Sequence, residues 1–332
     1  MGKKYLMLTH HLCTLLSVDP TGVRTIRRKM SIKLVKDAKV GQPIHRNGIS
    51  IFPLVYGGKR PNGAVIADDS LQVSELEIAS VPQLQVHNPG LTDMLIPAGR
   101  VLEGGRQTRT VNVSILVPAG ATIVIPVSCV EAGRWGGGSS FRDSKRMASR
   151  SMRMSKGRSV KSNIENYGTK NSNQGEVWDA ISEELTTRHL SSPSSLFLDA
   201  AGSLENDQEL SGLITDFLGT GPAEGQTGIV VAYGDKIAGL ELFTNPDDLR
   251  ASWEALVNSI VFDSPVTESE KDSIIDVAAI EAFLADIADQ EGTIAKGTGL
   301  GSEFHVANER YVAHALVDDS GSLLHAYAFA AI

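Results

Sequence analysis

Between Thr110 and Cys129 the chain reads TVNVSILVPAGATIVIPVSC, two runs of alternating apolar residues joined by a Pro-Ala-Gly turn. Successive side chains of a strand point to opposite faces. Val111, Val113, Ile115 and Val117 therefore share one face, and Ile123, Ile125, Val127 and Cys129 share another. A period of two does not fit a helix, so this segment needs a sheet on which to bury two apolar rows. Short runs of the same kind, ISIFPLVY, LQVSELEI, PQLQV and DMLIPAG, precede it from residue 48 and are broken by Gly, Pro and Asn. That spacing is the signature of an antiparallel β-sandwich or barrel.

The rest of the chain has a different character. From Gly136 to Gly175 large apolar residues thin out, and between Arg134 and Lys161 nine lysines and arginines stand against Asp143 alone, although the whole chain carries a formal net charge of -8. This composition predicts a flexible basic loop over residues 136–175 that faces a local anionic partner, with nucleic acid a weaker prospect because few aromatics interleave the charges. Beyond it Val177, Ile181 and Leu185 recur at helical spacing, as do Leu210, Leu213, Ile214 and Phe217. GIVVAYGDKIAGLELF reads as a hairpin turning at Gly234-Asp235, and Asn245-Pro246-Asp247-Asp248 as the capped start of a helix. Thr267 to Glu270 forms a capping-box pattern before a helix ending near Gln290. YVAHALV and SLLHAYAF make a closing hairpin whose register, if regular, sets His314 directly opposite His325.

Strands first and mixed elements afterwards make the fold class α+β: an N-terminal antiparallel sandwich or barrel-like region, then a mixed half of hairpins and helices. The expected organisation is an N-terminal extension over 1–34, a β-rich region over 35–135, the basic loop over 136–175, and an α+β region over 176–332 packed on the β-rich one. Two cysteines, Cys13 and Cys129, build no disulfide framework and suit a reducing cytoplasm. No apolar run reaches the roughly 18 residues of a membrane span, so no membrane partner is expected.

The two central strands are bracketed by residues that packing does not demand. Gln107 and Arg109 stand two apart, so on an extended segment they project together and offer an amide and a guanidinium to a planar or anionic group; pairing of Arg109 with Glu103 or Glu131 is the structural alternative. Cys129 is either a nucleophile with Glu131 as its acid or base, or an inert thiol ending an apolar row. Glu131 and Arg134 either grip a ligand or bridge each other, and Trp135 is either a platform for a base or a lid over the core. The candidates are thus Cys129 and Glu131 for catalysis and Gln107, Arg109, Arg134 and Trp135 for ligand binding. No metal site is expected, because His314 and His325 lack an evident third ligand. The cofactor is left unknown: GDKIAG is not a phosphate loop and GTGLGSEF follows a helix instead of opening one, so neither supports a nucleotide fold.

Taken in order, the QTR of GGRQTR, CVEAGRW, QGEVW at 174–178 and GIVVAYGDKIAGLELF with its Trp-bearing helix resemble a prokaryotic domain family, the ARG and rhodanese-phosphatase-superfamily-associated protein domain. The resemblance runs from about Val40 to the C-terminus. It implies a setting beside ADP-ribosylglycohydrolase-type and phosphatase-superfamily proteins, hence nucleotide or ADP-ribose metabolism or defence, and it transfers no catalytic role to any residue. The expectation is a binder, or processor, of a phosphate-bearing small molecule, with ADP-ribose-processing proteins as partners. A non-catalytic interaction or assembly module and a cysteine-dependent hydrolase or transferase are the alternatives. Whether the chain is an enzyme stays open at this point.

Overall fold

The computed structural model describes residues 33–58, 63–264 and 271–331. A 3-10 turn at Lys33–Asp37 leads into β1 (Lys39–Val40), β2 (Ile44–Arg46) and β3 (Ile49–Val55). Nine short strands follow: β4 (Val65–Ile66), β5 (Gln72–Ser74), β6 (Gln83–His87), β7 (Met94–Ile96), β8 (Arg100–Gly104), β9 (Arg109–Val111), β10 (Ile115–Val117), β11 (Thr122–Cys129) and β12 (Ser140–Met147). Four helices come next, α1 (Arg150–Tyr167), α2 (Gln174–Thr187), α3 (Phe197–Gly202) and α4 (Gln208–Thr220). The chain then runs through β13 (Gly228–Tyr233), β14 (Lys236–Phe243), α5 (Pro246–Phe262), α6 (Val277–Ala288), β15 (Thr293–Lys296), β16 (Ser302–Ala307), β17 (Tyr311–Val317) and β18 (Leu323–Ala330).

The fold is α+β. Of the alternating rows, β9 and β11 join a closed barrel in the order β11-β6-β5-β12-β8-β9, and β10 lies in a small sheet with β7 and β4. Closure removes the sheet edges that a run of short strands would otherwise leave unpaired. Leu84, Val86, Val111, Val113, Ile125 and Val127 fill one core cluster there. Burial is nonetheless two-sided along TVNVS, since Thr110, Asn112 and Ser114 are buried as well.

The larger sheet has nine strands, β1-β3-β13-β14-β18-β17-β16-β15 with β2 also on β3. Strand β3, which spacing groups with the β-rich region, pairs instead with β13 of the C-terminal half, Ile51 facing Val231. One face of this sheet packs Ile49, Ile229 and Val231 against Leu249, Trp253 and Leu256 of α5 and Phe217 of α4. The other packs Phe52, Leu54, Val230 and Leu242 against Ile280, Phe283 and Ile287 of α6. Each such fully buried side chain contributes about 1.5–3 kcal/mol of hydrophobic stabilisation. Helix α5 starts where its cap predicts, the Asn245 side chain accepting from the Asp247 amide. Helix α6 starts at Val277 under an Asp276 cap. The Thr267–Glu270 pattern lies outside the described residues, as does the extension before Lys33.

Two expectations are corrected. The segment expected as a flexible basic loop contains β12 and the 18-residue α1. Its composition misleads because the buried stripe of α1 is not aliphatic: it is Met152, Arg153, Met154, Lys156, Gly157 and Val160. In the closing hairpin His314 faces Tyr327 and Leu316 faces His325, with a register shift after Leu316. The turn closes Val317 on Leu323, one residue off the symmetric register, and the bulge adds a second residue to β18, so the symmetric pairing of the two histidines does not form. The cross-strand neighbour of His314 is His305 on β16.

Candidate functional site

Antiparallel pairing of β9 with β11 places Arg109 opposite Cys129. The chain before β9 and the chain after β11 therefore run side by side, which brings Gln107 and Thr108 to Glu131. Glu131 accepts the Thr108 amide at 2.9 Å and the Thr108 hydroxyl at 3.0 Å on Oε2. Arg134 closes on the same carboxylate in two places, Nε to Oε1 at 2.7 Å and Nη2 to Oε2 at 2.6 Å. Burial alone raises the Glu131 carboxyl, but these four donors outweigh it and hold the group below its usual range.

Arg134 has five N–H donors. Two go to Glu131, and the remaining three go to backbone carbonyls: Nη1 to Gly105 and Gly136, and Nη2 to Gly104. The paired glycines make this cradle. Gly104 and Gly105 have φ of 122° and 52°, and a Cβ on Gly105 would come within 2.1 Å of the Phe141 ring. Only glycine turns both carbonyls toward the guanidinium without strain or collision.

Gln107 and Arg109 face inward. The Gln107 amide donates to Glu131 O at 2.9 Å; Arg109 Nε donates to Val81 O at 3.1 Å and Nη1 to Gln107 O at 2.8 Å. Among the described residues each keeps one buried polar atom with no partner, the acceptor Gln107 Oε1 and the donor Arg109 Nη2, and Glu75 adds an unpartnered Oε2. Burial lowers the Arg109 guanidinium below its ordinary value, with the thiol of Cys129 and the carboxylate of Glu75 opposing. Arg106 points the other way. Its guanidinium lies over the half-exposed Trp135 ring, 5.5 Å from the centroid.

Cys129 is fully buried, and its thiol donates to Glu131 O at 3.1 Å. Burial pushes the thiol up, against the smaller pull of the Glu131 backbone and of Arg109. At neutral pH it is held as the protonated form, a weak nucleophile. Helix α2 covers it: the Gln174 side chain accepts from the Cys129 amide at 2.8 Å and donates to the Cys129 carbonyl at 2.7 Å, pairing like an extra strand residue. Three of the spaced motifs thus meet in one place, GGRQTR, CVEAGRW and QGEVW, whereas Gly234-Asp235 forms the distant β13–β14 turn.

A second polar centre escaped the sequence reading. It runs from α1 through the large sheet to the barrel. Arg153 Nη2 contacts both oxygens of Glu241 at 2.9 and 3.0 Å while its guanidinium lies over the Tyr327 and Phe329 rings. Glu241 Oε1 meets His325 Nε2 at 2.8 Å, and His325 Nδ1 meets Ser114 Oγ at 2.7 Å. Burial raises Glu241, yet Arg153 and His325 outweigh it and hold the carboxyl below its usual range. An ionised Glu241 accepts from Nε2, which leaves Nδ1 to accept the Ser114 hydroxyl. This is the order of a serine–histidine–acid relay. Ser114 and His325 are both 0% exposed, so the relay braces the barrel against the sheet and faces no solvent. Charged side chains at apolar positions, Glu241 within GLELF and Arg153 and Lys156 on α1, were the signal available.

The neighbouring Glu303, His305 and His314 place one ligand atom each within 4.8 Å of one another, the grouping nearest to a metal centre among the described residues. Protein partners already occupy it. Lys170 Nζ sits 2.6 Å from Glu303 Oε1, His305 Nε2 lies 3.0 Å from Glu303 Oε2, and the Ser114 amide donates to His314 Nε2. That last bond puts the His314 proton on Nδ1, the nitrogen left without a partner.

A family model, the ARG and Rhodanese-Phosphatase-superfamily-associated Protein domain, matches residues 37–329. The chain belongs to this family. The match spans the barrel, the large sheet and both polar centres. No curated protein and no solved structure matches the chain. Among the described residues no helix is long and apolar enough to cross a membrane.

Proposed function

We propose that this domain binds a phosphate-bearing small molecule of nucleotide or ADP-ribose type at the end of the barrel where β9 and β11 meet. The observation that carries the reading is the pair of unpartnered buried atoms on Gln107 and Arg109, an acceptor and a donor two residues apart. Buried polar groups are almost always satisfied, so an orphaned pair asks for an occupant. Arg109 supplies a charge-assisted donor for an anionic oxygen, and Gln107 Oε1 accepts from a hydroxyl or an exocyclic amine. Trp135, half-exposed with Arg106 stacked on it, offers a flat cationic rim to a ring or a second phosphate. The family's description, which pairs it with ARG and rhodanese-phosphatase superfamily proteins, favours that ligand class.

In this reading Arg134 holds the wall and does not touch the ligand, since all its donors are spent. Glu131 fixes Thr108 and Arg134, and Cys129 packs beneath. No catalytic step is part of the proposal.

The saturation of Arg134 also favours a second reading, an architectural module in which the whole cluster is a lock between strands. A thermal-shift series with inorganic phosphate, AMP, ADP and ADP-ribose separates the two. A ligand that binds only the native form at a hundred times its Kd adds about 2.7 kcal/mol to stability, a visible rise in Tm. No rise with any of the four sinks the binding reading and leaves the lock.

A further inference from the structure

A separate cavity opens on the flank of the barrel between β5, β8 and β12. Its volume is about 150 Å³, and its walls are apolar: Leu71, Val73, Leu102 and the ring of Phe141. At its base lies Arg100, 4% exposed, with Nη2 held 3.1 Å from Asp143 Oδ2 and Nη1 without any partner. At its lip stand Asp68 and Asp69. Asp68 accepts the Ser70 amide and hydroxyl on Oδ1, and among the described residues its Oδ2 accepts nothing. Asp69 meets Lys145 at 3.5 Å.

We infer that this cavity is a binding site for a small neutral polyol, a single sugar or cyclitol ring. Size, charge and polarity agree on that class. A volume near 150 Å³ is the room of about five waters, too small for a nucleotide and suited to one ring. Asp68, Asp69 and Asp143 are balanced by Arg100, Arg142 and Lys145, so the surroundings carry no net charge to hold a phosphate or a cation, while Arg100 Nη1 asks for an acceptor and Asp68 Oδ2 for a donor. Hydroxyl groups satisfy both demands, because each donates to a carboxylate and accepts from an N–H. Phe141 and the aliphatic walls take the C–H face of the ring, in the usual division of a ligand pocket between apolar walls and a few placed polar groups. The site is distinct from the Gln107–Arg109 end of the barrel and does not depend on what binds there.

The test is saturation-transfer NMR on the full chain with D-ribose, D-glucose and myo-inositol, and with glycine as a zwitterionic control. The expected result is transfer to at least one polyol and none to glycine. Leu71→Trp fills the cavity from a partly buried wall without touching the Arg100–Asp143 pair, and it should abolish the transfer while the circular dichroism and melting stay near wild type. Arg100→Met should weaken polyol binding at least tenfold if it folds; Leu71→Trp decides the matter if it does not. Arg109→Met should leave polyol binding intact, which separates this proposal from the phosphate site. Absence of transfer to all three polyols, transfer that survives Leu71→Trp, or binding of glycine in their place overturns the inference.

Discussion

Glu131 and Arg134, three residues apart after β11, form a two-point ion pair with contacts of 2.7 and 2.6 Å, and the arginine fastens the same carboxylate to two glycine carbonyls of the facing loop. The Glu131 side chain is 5% exposed and that of Arg134 35%, so the pair lies between a surface bridge and a core one. Its role is to hold the Gly104–Thr108 segment against the end of β11.

Arg134→Ala should therefore destabilise the free protein by about 2–3 kcal/mol, because it leaves a nearly buried carboxylate with Thr108 as its main donor. Glu131→Gln should cost a similar amount, and the double variant should cost clearly less than the sum. Urea unfolding of the four proteins supplies the cycle. Additive costs would mean that the pair is not coupled in solution.

Cys129 should react with iodoacetamide only when the protein unfolds, since the thiol is buried, protonated and bonded to a carbonyl. Cys129→Ala should keep the fold at a cost of about 1 kcal/mol, the scale for a small buried group. Rapid labelling of the native protein at neutral pH would show an exposed thiolate and reopen the nucleophile reading.

Asp263 gives stability a pH signature. It ends α5, and its Oδ2 accepts the Arg150 amide at the start of α1. Burial, reinforced by Glu184, pushes its carboxyl up to about 7. The native state thus keeps a proton that the unfolded chain releases near pH 4. The resulting stabilisation is complete below about pH 4 and is lost as pH rises through 7. Asp263→Asn removes this dependence, so its stability relative to wild type should improve by more than about 1 kcal/mol between pH 5 and pH 8. A constant difference across that range would contradict the assignment.

Lys156 is fully enclosed, its ammonium bonded to Thr110 Oγ1 at 3.0 Å and Val111 O at 2.9 Å. Burial, with Arg153 adding repulsion, lowers its pKa well below the ordinary lysine value. The Val111 carbonyl also accepts the Gly99 amide, so removal of the lysine does not strand it. Lys156→Met should consequently melt within about 1 kcal/mol of wild type or above it, as buried charges replaced by apolar groups of like volume often do. A loss beyond about 3 kcal/mol, measured by denaturant unfolding, would show that the ammonium is integral to the network.

The fold was legible where periodicity was clean. The alternating rows predicted β9 and β11 of the barrel and β10 of the small sheet beside it, and Val177, Ile181 and Leu185 gave the buried face of α2. Asn245 and Pro246 marked the start of α5 to the residue. It was illegible where polar groups are buried. Helix α1 hides its inward face behind Arg153 and Lys156, and its burial depends on Glu241, Thr110 and two aromatic rings that lie far away in sequence. The hairpin register failed for another reason: a bulge in β18 leaves no mark in an apolar run, so the pairing of His314 with Tyr327 was out of reach. At the candidate site, proximity was readable but saturation was not. Sequence spacing can place Arg134 near Glu131, yet it is the folded loop that brings the Gly104, Gly105 and Gly136 carbonyls to its remaining donors.

The most direct test of the proposed function is an isothermal titration of ADP-ribose and of inorganic phosphate into the full chain, repeated with Gln107→Leu, Arg109→Met and Arg134→Ala. The account predicts binding by wild type, a loss of roughly 1.5–3 kcal/mol of binding free energy in Gln107→Leu and Arg109→Met, and near-normal affinity in folded Arg134→Ala, whose donors already belong to the protein. Binding that depends on Arg134 but ignores Gln107 and Arg109, or no binding of either ligand at millimolar concentration, would contradict it.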